Sequence, residues 1–257
     1  MASVFLNRED LQDAPAWPLR PLPALGIGLL LVPLVKQFWI LLYVFNFLHT
    51  LVHELGHTVF AWLMGMPALP KISLGGDGGV TSSLAQIRPL CFAILAGLGW
   101  FAWQARSDRR WLVGLLAGMV VYAAFAFTSA AQDLRIAGGV LFELGGATAC
   151  FYWVLTAPSS LGAERPLYSL WGWWMLLNRL TETWLMLRST AYWDAHTISD
   201  SGITEGLVND IPALTEAMNI TPTIVLSIVL VLGLSILPLA VLMWQLKRRR
   251  DAKTPVT

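Results

Sequence analysis

Long apolar runs separated by short polar breaks set the pattern of this chain. Residues 1–23 form a polar, proline-broken lead, and 24–65 are then almost continuously apolar. A helix over 24–65 would be roughly 60 Å long, about twice the hydrocarbon core of a bilayer, so it must break. Pro33 is the expected break, because a proline inside a helix removes a backbone hydrogen bond. Residues 24–33 then read as a re-entrant or interfacial lead-in and 36–65 as one span, with two spans at 24–46 and 47–65 as the alternative. Residues 66–84, "MPALPKISLGGDGGVTSSL", are rich in glycine and proline and cannot span. They predict a re-entrant or hairpin segment, with a short strand at 71–74 before a glycine turn. Further spans are predicted at 85–104, 111–131, 134–156, 167–187 and 222–246, giving six in all. An acidic outer segment at 188–221 precedes the last span, and a basic tail at 247–257 follows it. The expectation is an all-α polytopic membrane protein forming a single membrane domain over 1–257.

Composition agrees with that pattern. Hydrophobic residues make up 56% of the chain and charged ones 13%, with a mean hydropathy of +0.61, too apolar for an ordinary soluble domain. The 13 tryptophans suit anchoring at the membrane interface. A net charge of +1 gives no reason to expect a nucleic-acid partner. Cys91 and Cys150 lie in apolar runs and read as packing residues. The first residues do not resemble a cleavable signal peptide. Arg106, Arg109 and Arg110, and then Lys247, Arg248, Arg249 and Arg250, are the basic clusters. By the positive-inside rule both face the cytoplasm. This predicts a multi-pass protein of the cytoplasmic (inner) membrane with its C-terminus inside. Glycine-rich 66–84 and acidic 189–221 then lie outside.

One apolar run carries unusual chemistry: "FLHTLVHELGH", residues 47–57, places three of the four histidines at four-residue spacing, with Glu54 directly after the middle one. His53 and His57, one helical turn apart, share a face and can reach one zinc ion. Glu54 beside them can hold a metal-bound water and take its proton. Gly56 leaves room for an ion and a substrate backbone. The motif is short and arises by chance in soluble helices. Ionisable groups inside a membrane span, however, are costly and usually face a functional cavity. His49 lies on the same face one turn earlier, and reads as a histidine beside the metal site or as an alternative ligand.

"HELGHTVFAWLMG", followed by "GGDGGVTSS" and then "AILAGLGW", resembles the site-2 protease-like family of integral-membrane zinc metallopeptidases, best over 47–104. The resemblance implies a zinc endopeptidase acting on membrane proteins or peptides, with Glu54 as the catalytic carboxylate. The Asn-Pro and Leu-Asp-Gly elements usual in that family's C-terminal part do not occur here, so no third ligand follows from it directly.

A catalytic zinc usually takes three protein ligands and a water, and several residues compete for the third position. Glu143, in "RIAGGVLFELGGATA", ranks first: counted from the outer helix ends it lies roughly 14 Å deep, and the histidines lie roughly 12–18 Å deep. Its plainer reading is a protonated acid bonded to a neighbouring helix. Asp210, in "GLVNDIPALTEAMNITP", ranks second; this stretch resembles a downstream aspartate segment of some family members, and its plainer reading is a helix cap. Asp200, near His196, is third, and Asp133 reads as a cap. Arg179 and Glu182 have the spacing of a structural ion pair. The expected partners are the lipid bilayer, a membrane-associated peptide substrate and an accessory membrane protein. The competing function is a non-proteolytic metal-binding protein with a structural or assembly role.

Overall fold

The computed structural model describes residues 20–73, 78–156, 164–197 and 209–251. They are mostly helical: α1 (Pro21–Gln37), α2 (Trp39–Leu63), α3 (Arg88–Gln104), α4 (Arg109–Ala126), α5 (Ala130–Thr156), α6 (Arg165–Arg188), α7 (Thr190–Thr197), α8 (Asp210–Met218) and α9 (Pro222–Asp251). A single antiparallel hairpin, β1 (Ala68–Ile72) and β2 (Gly79–Ser83), interrupts the described helices, in a register that runs from Ala68↔Ser83 to Ile72↔Gly79. The strand expected at 71–74 therefore starts earlier, at Ala68. Gly65 in the left-handed region (φ 73°) ends α2 and turns the chain into it.

The long apolar run breaks at a different place from the one expected. Pro33 lies inside α1, and the chain leaves the helical region at Phe38 (φ −103°, ψ 109°), just after the polar pair Lys36 and Gln37. Membrane helices tolerate an internal proline where neighbouring groups satisfy the freed carbonyl. Three described helices are long and apolar enough to cross a membrane: Arg109–Ala126, Ala130–Thr156 and Pro222–Arg250. The broken pair α1 and α2 makes a fourth if it counts as one span. Helix α3, at 17 residues, is a little short for about 30 Å of hydrocarbon. Helix α6 carries Arg165, Arg179, Glu182 and Arg188.

The chain divides into two compact units. One comprises Met1–Leu42, Leu144–Thr181 and Leu230–Thr257. Within it, α1 meets α6 where Gly28 leaves no room for a side chain against Ser169. Ser169 Oγ and Trp173 Nε1 both donate to the Leu25 carbonyl, at 3.1 and 3.0 Å. Trp174 and Phe151 are fully buried there.

The other unit, Tyr43–Glu143 with Glu182–Val229, holds the histidine helix. Its apolar cluster joins Ala61, Met64, Met66, Ala68, Cys91, Ala126 and Ala131. Gln86 Nε2 donates to the Met64 and Ala126 carbonyls at 2.8 and 2.7 Å, satisfying acceptors that the ends of α2 and α4 leave open. Helix α2 crosses α5 backbone to backbone at Gly56 and Gly138: a Cβ on Gly138 would lie 2.9 Å from the Gly56 carbonyl oxygen, and one on Gly56 would strike the Gly138 carbonyl. Small residues at a helix crossing permit this approach. Gly56→Ala is expected to lower the thermal unfolding temperature in detergent, by an overpacking cost of about 1–3 kcal/mol. Gly97→Ala, where the added methyl meets open space, should be neutral or stabilising; equal behaviour of the two variants would contradict the crossing.

Candidate metal centre

Two stripes face each other across the α2–α5 crossing. On α2, His49, His53 and His57 recur every four residues; on α5, so do Arg135, Gly139 and Glu143. Four-residue spacing keeps side chains on one helix face, and the two helices run antiparallel, so the stripes align end to end. His57 Nδ1 lies 2.9 Å from the Arg135 carbonyl oxygen. Gly139 lies under both rings: a Cβ there would be 2.7 Å from the Nε2 atoms of His53 and His57. His53 Nδ1 lies 2.6 Å from Glu143 Oε1, and His49 Nε2 approaches the same oxygen at 3.3 Å.

These contacts decide where the imidazole protons sit. A backbone carbonyl only accepts, so His57 Nδ1 must donate to Arg135. A carboxylate likewise accepts, so His53 Nδ1 donates to Glu143. Each neutral ring then carries its lone pair on Nε2. The two Nε2 atoms converge to 3.1 Å, and Asp210 Oδ2 stands 3.0 Å from each. This oxygen is buried, and its contacts with the rings lack hydrogen-bond geometry.

Three lone-pair atoms at 3.0–3.1 Å repel one another unless a cation sits among them. Ligands about 2.0–2.2 Å from a tetrahedral metal are about 3.3 Å apart, close to the triangle observed. His53, His57 and Asp210 therefore form a group that could bind a metal ion. The carboxylate and carbonyl behind the two rings are the partners that orient metal-ligating histidines.

Asp210 reaches this point from the first turn of α8. Asn209 caps that helix, its Oδ1 accepting from Ile211 N–H at 3.1 Å, while its Nδ2 donates to Glu182 Oε1 at 2.6 Å. Ile211 packs with Met186, Val225 and Leu226, and Asn219 in the left-handed region closes the C-terminus. The aspartate thus comes from a short helix anchored at both ends.

Of the residues singled out from the sequence, His53, His57 and Asp210 meet in the triangle. Glu143 does not: the matched depth brings it to His53, but behind the ring at Nδ1. His49 joins it there. Asp133 lies in the first turn of α5, and His196 lies on α7 with its Nδ1 2.7 Å from the Tyr192 carbonyl. Asp200 falls outside the described residues. Glu54 is buried and projects toward the hairpin, where its Oε2 accepts from Thr81 Oγ1 at 2.6 Å. Sequence reasoning missed Thr81, Asn209, Gly139 and the Arg135 carbonyl. Only the four-residue spacing of Arg135, Gly139 and Glu143 was there to be seen.

Fold and centre together define the class: a mostly helical protein with candidate membrane spans and a His–His–Asp group suited to a metal ion. Compared with known protein families, curated proteins and solved structures, the chain finds no match.

Asp210→Ala is expected to abolish stoichiometric metal binding by the purified protein. Glu143→Gln, which keeps the shape but weakens the hold on His53, should reduce affinity about 10–100-fold. Metal titration checks both, and the reverse order would return Glu143 to the ligand set.

Proposed function

We propose that the protein is a membrane-embedded zinc metallopeptidase hydrolysing peptide bonds of membrane-associated substrates. The observation that carries this reading is the convergence of His53 Nε2, His57 Nε2 and Asp210 Oδ2 on one point, in the residue that precedes Glu54 and the one three beyond it. Two imidazoles and a carboxylate suit zinc and leave one coordination position open, as catalytic zinc sites do. Zinc bound there supplies a Lewis acid and lowers the pKa of its water toward neutrality. Glu54 takes the proton of the attacking water and returns it to the leaving amine. The Thr81 hydroxyl and the close contact of Gly79 with the Glu54 stem hold that carboxylate in one orientation. A helical substrate must unwind to expose a peptide bond, and the hairpin offers strand edges on which an extended segment can pair.

This reading agrees with the resemblance to site-2 protease-like enzymes over 47–104. It also retains the six-span arrangement, with α3 and α6 as the additional spans, the hairpin as a re-entrant element, and the C-terminus in the cytoplasm. A bilayer, a membrane protein or peptide substrate and an accessory membrane partner are the corresponding partners. The second reading, a non-proteolytic metal-binding protein, rests on the same triangle but gives Glu54 no task.

Glu54→Gln separates the two. The amide fills the same space but cannot accept the water's proton, so the variant should keep its metal and lose peptide hydrolysis by about 10²–10⁴-fold. Unchanged hydrolysis would make the centre structural. Topology is checked separately: reporters fused after the basic tail and inserted between residues 198 and 208 should report opposite sides of the membrane, and equal signals would overturn the six-span arrangement.

A further inference from the structure

A cavity of about 100 Å³ opens between α2 and the hairpin, lined by Tyr43, Asn46, Phe47, Thr50, Ile72, Ser73 and Gly78. It lies apart from the metal triangle. Tyr43, Phe47 and Thr50 follow helical spacing, and the stripe continues to Glu54 one turn after Thr50. The histidine stripe sits one residue behind it and so faces a different direction. Gly79 closes the gap between the stripe and the hairpin: a Cβ there would lie 2.6 Å from Glu54 Cγ and 2.9 Å from Thr50 Cγ2. The cavity therefore begins one helical turn from the carboxylate assigned to proton transfer.

We propose that this cavity is the subsite for a single apolar side chain of the peptide being cleaved, at a residue flanking the scissile bond. This inference rests on the peptidase reading of the same centre. Size argues for a side chain: about 100 Å³ is well below the ~300–1,000 Å³ of a small-molecule or cofactor site. Chemistry argues for an apolar one. Phe47 and Ile72 are partly buried, and Tyr43 adds a second ring, while the polar Asn46 and Ser73 are exposed. Such a wall accepts an aliphatic or aromatic group and leaves a polar rim for the peptide backbone. The position argues for a substrate rather than a lipid chain, because the stripe that lines the cavity ends on Glu54. An extended peptide lying along the hairpin sends alternate side chains to opposite faces, so one of them can enter while the adjoining peptide bond lies near Glu54.

The test is a map of cleavage sites in reduced, unfolded casein, read by mass spectrometry, with the detergent-solubilised full-length protein. Cleavages that vanish in Glu54→Gln are counted as its own. The wild type should favour Leu, Met or Phe at one fixed position beside the cut. Asn46→Trp, which fills the mouth of the cavity from an exposed site, should lower the ratio of large to small residues there by about 10–100-fold, with metal content unchanged. Phe47→Ala should move the preference toward larger side chains, and Ser73→Trp, which blocks from the hairpin side, should repeat the effect of Asn46→Trp. Glu54-dependent cleavage with the same residue profile in all three variants would overturn the subsite and leave the peptidase reading standing. Absence of any Glu54-dependent cleavage would remove the peptidase reading, and the subsite with it.

Discussion

The close approach of α2 and α5 is the constraint on which the centre depends. Gly56 and Gly138 have no side chains, so the two backbones meet directly. That contact brings the Arg135 carbonyl within reach of His57 and the Glu143 carboxylate within reach of His53. Each of these acceptors fixes a proton on Nδ1, and each fixed proton turns a lone pair on Nε2 toward the same point. A side chain at the crossing would separate the helices and free both rings. In an apolar helix, with few competing polar groups, these two acceptors largely decide which way the imidazoles face.

Burial makes this arrangement costly without a cation. Glu143 and Glu54 are almost fully buried, at 1% and 4% exposure, and both have partners: Glu143 faces His53 and His49, and Glu54 accepts from Thr81. The Asp210 oxygen is different, because it faces two lone pairs. Buried polar groups that lack complementary partners cost several kcal/mol in such surroundings, and a bound metal ion would offset that cost. The division of labour between the three carboxylates follows from their positions. Asp210 faces the converging Nε2 atoms of His53 and His57, Glu143 the far side of the His53 ring, and Glu54 the hairpin.

The hairpin borders this centre at Glu54, the residue next to His53. Thr81 and Gly79, both on β2, touch Glu54 directly, while Ile72 and Gly78 border the neighbouring cavity. Chain geometry at Gly78, in the left-handed region (φ 98°), favours glycine. Gly78 therefore both makes the turn into β2 and borders the cavity.

The four-residue spacing of the histidines, the glutamate beside His53 and the apolar runs around them were legible in the sequence. They depend only on local helical periodicity and on the cost of ionisable groups in an apolar segment. Depth along the helices was legible too, and it brought Glu143 to the correct level. It could not say on which side of the ring Glu143 would stand, because that depends on how α5 rotates about its own axis when Gly138 meets Gly56. Nor could local pattern choose Asp210, which arrives from a distant short helix whose place is set by the Asn209 bond to Glu182 and the packing of Ile211. The break at Phe38 rather than Pro33 belongs with these. A proline removes one hydrogen bond, but whether a helix ends there depends on what the surrounding structure offers the freed carbonyl, which only the tertiary structure decides.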